Sequence, residues 1–137
     1  MGLVSLAPGN KCKGWSRVKR RLEKLLDNCQ CVKHFRQVLD ADLVELINGP
    51  LPQVKIEDGP GSASTPCSKD PGAILVDPKF CRWGFRRHLD EIILHELAHF
   101  ADCDTQRFPP GGPVEEGAEA ENACFGSSLD AERRPGN

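Results

Sequence analysis

The fold is organised around residues 89–101, which read LDEIILHELAHFA. Most of these residues are apolar, and Asp90 and Glu91 stand near the start, a pattern that predicts a largely buried helix with acidic groups in its first turn. Inside this stretch lies the motif H-E-x-x-H, with His95 and His99 four residues apart. Four residues make just over one helical turn, so both imidazoles are predicted to project from one face.

The polar side chains of this motif need compensating interactions if they are buried in an apolar helix. Buried polar groups cost free energy unless they are satisfied, and a metal ion would satisfy these. Two imidazoles one turn apart can bind one zinc ion, whereas Glu96 is offset by one position and can reach a water at the metal without ligating it. We therefore predict Zn2+ as the cofactor, His95 and His99 as two of its ligands, and Glu96 as the catalytic general base.

The same stretch resembles the active-site helix of the zincin metallopeptidases, both in the motif and in its apolar flanks. The resemblance covers about residues 72–126. It implies a zinc-dependent endopeptidase in which Glu96 takes a proton from a zinc-activated water and passes it to the leaving amine. The small size is also similar to that of the minimal metallopeptidase domains of bacterial effectors and toxins, so an effector role is expected by analogy.

A catalytic zinc usually has three protein ligands and one open position. No histidine follows His99, which excludes the met-zincin continuation H-x-x-G-x-x-H. The gluzincins, which this chain resembles more, take a glutamate from a following helix. Residues 114–122, VEEGAEAEN, provide four candidates for this third ligand.

Two of these glutamates fit a family pattern. Glu115 and Glu119 resemble the E-x-x-A-E arrangement of the lethal factor type, which implies Glu115 as the zinc ligand and Glu119 as the acid that supports a zinc-bound histidine. Glu119 instead matches the ligand of the thermolysin type by its distance from His99, although Ala123 then stands where that type has its supporting aspartate. We predict Glu115 as the ligand and keep Glu119 as the alternative.

The remaining pattern predicts an α+β fold, in which a small sheet packs on the active-site helix with two or three further helices, as in a minimal zincin-like domain. We expect helices at about residues 16–28, 32–47 and 114–125 and strands at 53–56 and 73–76. Residues 59–66 predict a flexible loop. The resemblance to the zincins implies that an edge strand of the sheet lines the cleft and that a peptide substrate pairs with it. The domain boundaries expected are a flexible N-terminus at 1–14, a single domain at 15–126 and a flexible tail at 127–137.

The charge balance limits the classes of binding partner that can be expected. With 18 basic and 20 acidic residues the net charge is −2, which gives no overall case for nucleic acid or a membrane surface. The first helix has a basic face. The simpler interpretation is a solvated surface, and the more specific one is a surface that binds an anionic partner. We expect a monomer that binds a protein or peptide substrate, and a non-catalytic, zinc-stabilised interaction module is the alternative.

Cysteine usage bears on the compartment. Seven cysteines leave at least one free thiol if the rest pair, and we expect at least one disulfide, with Cys67–Cys81 or Cys103–Cys124 as the pairs considered. Disulfides imply an oxidising destination. The alternative is that the thiols are reduced and buried and act as small hydrophobic residues. The short apolar start lacks the basic region of a secretory signal, and no apolar run reaches the length of a transmembrane helix. Export by a route that needs no signal peptide, or release from a larger polypeptide, is therefore expected.

Overall fold

The computed structural model describes residues 6–57, 63–69, 71–82, 88–103 and 115–126. Within these ranges the chain forms five α-helices and one three-stranded sheet, so the predicted α+β class is confirmed. The helices are α1 (Trp15–Lys24), α2 (Cys29–Val38), α3 (Leu43–Asn48), α4 (Leu89–Asp102) and α5 (Glu116–Phe125), and the strands are β1 (Gln53–Ile56), β2 (Ala63–Ser64) and β3 (Ala73–Val76). None of the described helices has both the length and the hydrophobicity that crossing a membrane requires.

The first two predicted helices differ from the observed ones. Helix α1 follows Gly14 as its N-cap and ends at Lys24, after which the chain continues as a short 3-10 helix over Leu25–Asp27. The helix expected over 32–47 is divided into α2 and α3, because Asp40 adopts a positive φ of 53° and Asp42 then caps α3 by accepting from the Val44 amide. Asp is one of the few residues that reach this left-handed region at modest cost, so the break could have been suspected from the sequence.

The sheet has the order β1-β3-β2. Strands β1 and β3 match the two predicted strands and pair in parallel. Strand β2 pairs antiparallel with the other side of β3, so β3 is the central strand. The prediction of a flexible loop at 59–66 is wrong at 63 and 64, which form β2, while residues 58–62 lie outside the described part of the chain.

Helix α4 forms the centre of the core. Its fully buried apolar side chains include Leu89, Ile93, Leu94 and Leu97, and it packs against α1, α5 and the β2–β3 side of the sheet. Burying each of these side chains contributes about 1.5–3 kcal/mol relative to exposure. The helix predicted from residues 89–101 is thus confirmed, and ten of its residues, His95 and Glu96 among them, are buried.

Three disulfides join segments that are distant in sequence, and they are Cys12–Cys81, Cys31–Cys124 and Cys67–Cys103. The expectation of at least one disulfide is confirmed, whereas both pairings considered from the sequence are wrong. Cys29 is a free and exposed cysteine. The disulfides close loops of 69, 93 and 36 residues, and by the chain-entropy argument each would stabilise the fold by about 4–5 kcal/mol.

The N-terminal segment is more ordered than its composition predicts. Leu6 forms a parallel bridge with Val54, and the Ala7 amide donates to the Val54 carbonyl at 2.9 Å. Cys12 is buried and bonded to Cys81. Residues 6–14 are therefore attached to the domain, in contrast to the flexible N-terminus expected, while residues 1–5 and the tail at 127–137 lie outside the described residues.

Candidate metal centre

Helix α4 presents His95 and His99 on the side that faces α5. His95 and Glu96 are buried, at 7% and 6% exposure, whereas His99 is partly exposed one turn later. The geometry of a helix brings the two Nε2 atoms to 3.1 Å from each other. The predicted projection of both imidazoles from one face is thus present.

The start of α5 brings a carboxylate to these two nitrogens. Glu115 is the N-cap of α5, and its two carboxylate oxygens accept from the backbone amides of Gly117 and Ala118 at 2.9 and 3.0 Å. This capping orients the side chain and places its negative charge where the helix dipole favours it. Glu115 Oε1 lies 2.8 Å from His99 Nε2 and 3.4 Å from His95 Nε2.

Gly117 allows this close approach of the two helices. An added Cβ at this position would lie 2.4 Å from the Nε2 and Cδ2 atoms of His95. Real Cβ atoms do not approach other atoms so closely, so a residue with a side chain would push α5 away from the imidazole. The glycine is therefore required by the packing of α5 on His95.

The remaining ring nitrogens meet two further acids of α5. His95 Nδ1 donates to Oε2 of Glu121 at 2.6 Å, and His99 Nδ1 donates to Oε1 of Glu116 at 2.5 Å. Glu121 is fully buried. Because an ionised carboxylate only accepts hydrogen bonds, these contacts place a proton on Nδ1 of each ring and leave the Nε2 lone pairs directed at the centre.

Three electron-pair donors thus converge on one point, namely the two Nε2 atoms and Glu115 Oε1. Their separations are 3.1, 3.4 and 2.8 Å. For tetrahedral coordination at the usual Zn–N and Zn–O lengths, ligand atoms are about 3.3–3.4 Å apart. Three acceptors this close repel one another unless a cation or a proton lies between them, so the residues His95, His99 and Glu115 could hold a metal ion.

The electrostatics of the metal-free site also favour a bound cation. Burial lowers the pKa of His99, but the hydrogen bond to Glu115 and the charge of Glu96 raise it by more, to about 9. Burial likewise raises the pKa of Glu115, while the hydrogen bond to His99 and the charge of His95 lower it to about 2. The cluster therefore attracts positive charge, which a proton supplies at neutral pH when no metal is bound.

A cleft of about 430 Å³ lies beside the three donor atoms. One wall is formed by β2 and the residues after it, and the other by α4, and the lining residues are Ala63, Ser64, Thr65, Cys67, His95, Glu96, His99, Asp102, Cys103 and Glu116. Glu96 lies in this cleft and accepts a hydrogen bond from Thr65 Oγ1 at 2.7 Å. The edge strand that lines the cleft is β2, which was not predicted as a strand.

The structure brings together His95, His99 and Glu115 as predicted, but it assigns a different position to Glu119. Glu119 is exposed, its charge acts on His34 of α2, and neither Nδ1 atom has it as a partner. The contact of Glu119 with a histidine of the centre, which its expected role requires, is not among the described contacts, and Glu121 and Glu116 contact His95 and His99 instead.

A sequence signal for Glu121 existed. Gly117, Ala120, Glu121 and Cys124 are the buried residues of α5, and their spacing of three, one and three is that of one helical face. An acid on a face of small and apolar residues indicates a buried partner. Glu116 has no such signal, because acids in a first helical turn are common without a ligand role.

Comparison of the chain with known protein families, with curated proteins and with solved structures found no match. The functional interpretation therefore depends on the geometry of this centre.

Proposed function

We propose that the chain is a zinc-dependent metallopeptidase. The observation that carries this proposal is the convergence of two imidazole nitrogens and one carboxylate oxygen beside a cleft that also contains the carboxylate of Glu96. Structural zinc sites are closed by four protein ligands, whereas catalytic sites have three and an open position toward solvent. Two imidazoles and a carboxylate are also a donor set that suits zinc.

His95, His99 and Glu115 would hold the ion, and Glu121 and Glu116 would orient the two imidazoles through Nδ1. A bound zinc ion supplies Lewis acidity, which polarises a carbonyl group and makes water a stronger acid. Glu96 would accept the proton of the attacking water and return it to the leaving amine, so the net reaction is the hydrolysis of one peptide bond.

The shape of the cleft supports an extended peptide as the substrate. Strand β2 is antiparallel to β3 and forms the side of the sheet nearest to Glu96. An extended chain can add to such an edge as a further strand, which gives affinity through backbone hydrogen bonds. The volume of the cleft, about 430 Å³, is within the range of about 300–1,000 Å³ that is usual for ligand-binding clefts.

We further infer that the protein acts in an oxidising compartment, as an exported effector or toxin would. The three disulfides support this inference, since disulfides persist outside the reducing cytosol. Two of them hold the walls of the centre, because Cys31–Cys124 attaches α5 to α2 and Cys67–Cys103 attaches the segment after β2 to the end of α4.

The test is a comparison of the zinc-loaded protein with Glu96→Gln on a library of internally quenched peptides, with cleavage sites read by mass spectrometry. We expect cleavage by the parent, and a loss of about a hundredfold or more in Glu96→Gln with zinc content unchanged. A parent that binds zinc but cleaves nothing, or a Glu96→Gln variant as active as the parent, would contradict the proposal. The former result would favour the zinc-stabilised interaction module.

A further inference from the structure

The general base proposed above has a partner that the H-E-x-x-H motif does not contain. Thr65 Oγ1 lies 2.7 Å from Glu96 Oε1 and 3.3 Å from the Glu96 backbone carbonyl. The two residues are 31 positions apart in the sequence, so this contact arises only from the packing of β2 against α4. Because Glu96 is buried at 6% exposure, its carboxylate depends on such partners for the hydrogen bonds that water would otherwise supply.

The segment that carries Thr65 is fixed on both sides. Ser64, immediately before it, pairs with Leu75 of the central strand. Cys67, two residues after it, forms the disulfide with Cys103, which is the C-cap of α4. The hydroxyl is therefore held relative to the helix that carries Glu96, and the geometry does not depend on the conformation of an isolated loop.

We propose that Thr65 is a positioning residue for Glu96. The terminal torsion of a glutamate is broad, so an unconstrained carboxylate samples many orientations. The hydrogen bond from Thr65 to Oε1 restricts this rotation and so fixes the direction of Oε2, the oxygen that takes the proton from water. Thr65 keeps its own proton throughout, and the proton that Glu96 gains passes on to the leaving amine.

This inference rests on the proposed peptidase function, but its structural part can be measured without metal. In chelator-treated protein, Thr65→Val leaves Glu96 without its donor, and we expect the equilibrium constant for unfolding in urea to rise roughly tenfold or more. In a Glu96→Leu background there is no carboxylate to lose its hydrogen-bond donor. The effect of Thr65→Val on the unfolding constant should therefore fall to about twofold or less. Equal effects in both backgrounds would contradict the hydrogen bond.

The kinetic part uses the zinc-loaded protein and a peptide substrate found with the parent. Thr65→Val should lower kcat by roughly 10- to 100-fold with KM and zinc content unchanged, since a misplaced base affects only the chemical step. Thr65→Ser retains the hydroxyl and should restore kcat to within about threefold of the parent. Ser68→Ala, which removes an exposed hydroxyl three residues further along, is the matched control and should equal the parent.

The outcomes separate this inference from the function on which it rests. If the parent cleaves peptides, Glu96→Gln does not, and Thr65→Val equals the parent, then Thr65 has no positioning role although the peptidase function stands. If Thr65→Ser loses as much activity as Thr65→Val, the residue acts through its size and the inference is wrong. If the parent and all variants are inactive, the proposed function fails and the positioning role falls with it.

Discussion

The replacement of Gly117 by alanine tests how closely α5 must approach the metal centre. The added Cβ would lie 2.4 Å from Nε2 and Cδ2 and 2.5 Å from Cε1 of His95, so it meets the flat face of the ring. Ordinary carbon contacts are about 3.5–4.0 Å, so the ring or the helix must move by about 1 Å. The ring cannot move easily, because its Nδ1 is held by the buried Glu121 at 2.6 Å.

Two effects of opposite sign decide the stability of this variant. Alanine is the better helix former, which would stabilise α5 by about 1 kcal/mol. Overpacking a tight contact typically costs about 1–3 kcal/mol, so we expect a metal-free protein that is between neutral and about 2 kcal/mol less stable. Metal–ligand distances in real sites lie within about 0.2 Å of their usual values. A His95 ring displaced by about 1 Å should therefore weaken zinc binding about 10- to 100-fold or more.

The measurements are zinc affinity by competition with a chromophoric chelator and urea unfolding of the metal-free protein. Ala123→Gly, near the opposite end of α5, is the matched control: it should cost about 1 kcal/mol of stability and leave zinc affinity unchanged. In a His95→Ala background the ring is absent, so Gly117→Ala should become stabilising by up to about 1 kcal/mol. A Gly117→Ala protein that is more stable than the parent and binds zinc equally well would refute the described packing.

Three further predictions concern the third ligand, the charge of His99 and the disulfides. Glu115→Ala should abolish zinc retention on dialysis. Glu119→Ala should retain zinc as the parent does, because Glu119 is exposed and contacts neither ring. The opposite result would favour the thermolysin-like pattern, in which Glu119 is the zinc ligand. The pKa of His99 is raised from 6.5 to about 9, so the stability that its charge contributes is complete below pH 6.5 and lost as the pH rises through 9. The free energy of unfolding of the metal-free protein should therefore fall by up to about 3 kcal/mol over this range. Zinc binding at pH 7 should also release about one proton, which calorimetry in buffers of different ionisation enthalpy measures. No proton release would exclude a charged His99. Alkylation of the denatured, unreduced protein should label Cys29 alone, and a second labelled cysteine would contradict one of the three disulfides.

Much of the centre could be predicted from local sequence, because the relevant spacing lies within one helix. Residues 89–101 form a buried helix, and the positions of His95 and His99 follow from its period of 3.6 residues. The α+β class and the strands β1 and β3 follow from patterns of the same local kind. Glu115 was predicted from a family pattern, and its position among the donor atoms agrees with that prediction.

The residues that sequence reasoning assigned wrongly are those whose roles depend on the approach of two elements. Which acid of α5 meets which imidazole is decided by the rotation of α5 about its own axis, and Gly117 sets how close the helix lies. A rotation of one residue changes the facing side chain by about 100°. A prediction from spacing alone therefore cannot choose between Glu116, Glu119 and Glu121.

Local sequence by itself determined the helix and the positions of His95, Glu96 and His99 on it, because a helix repeats its geometry whatever surrounds it. Tertiary structure alone decided the strand β2, the pairing of the cysteines and the contact of Thr65 with Glu96. These are contacts between segments far apart in sequence, and no local pattern encodes them. They form only when burial of the apolar core around α4 brings the segments together and repays the entropy of ordering them.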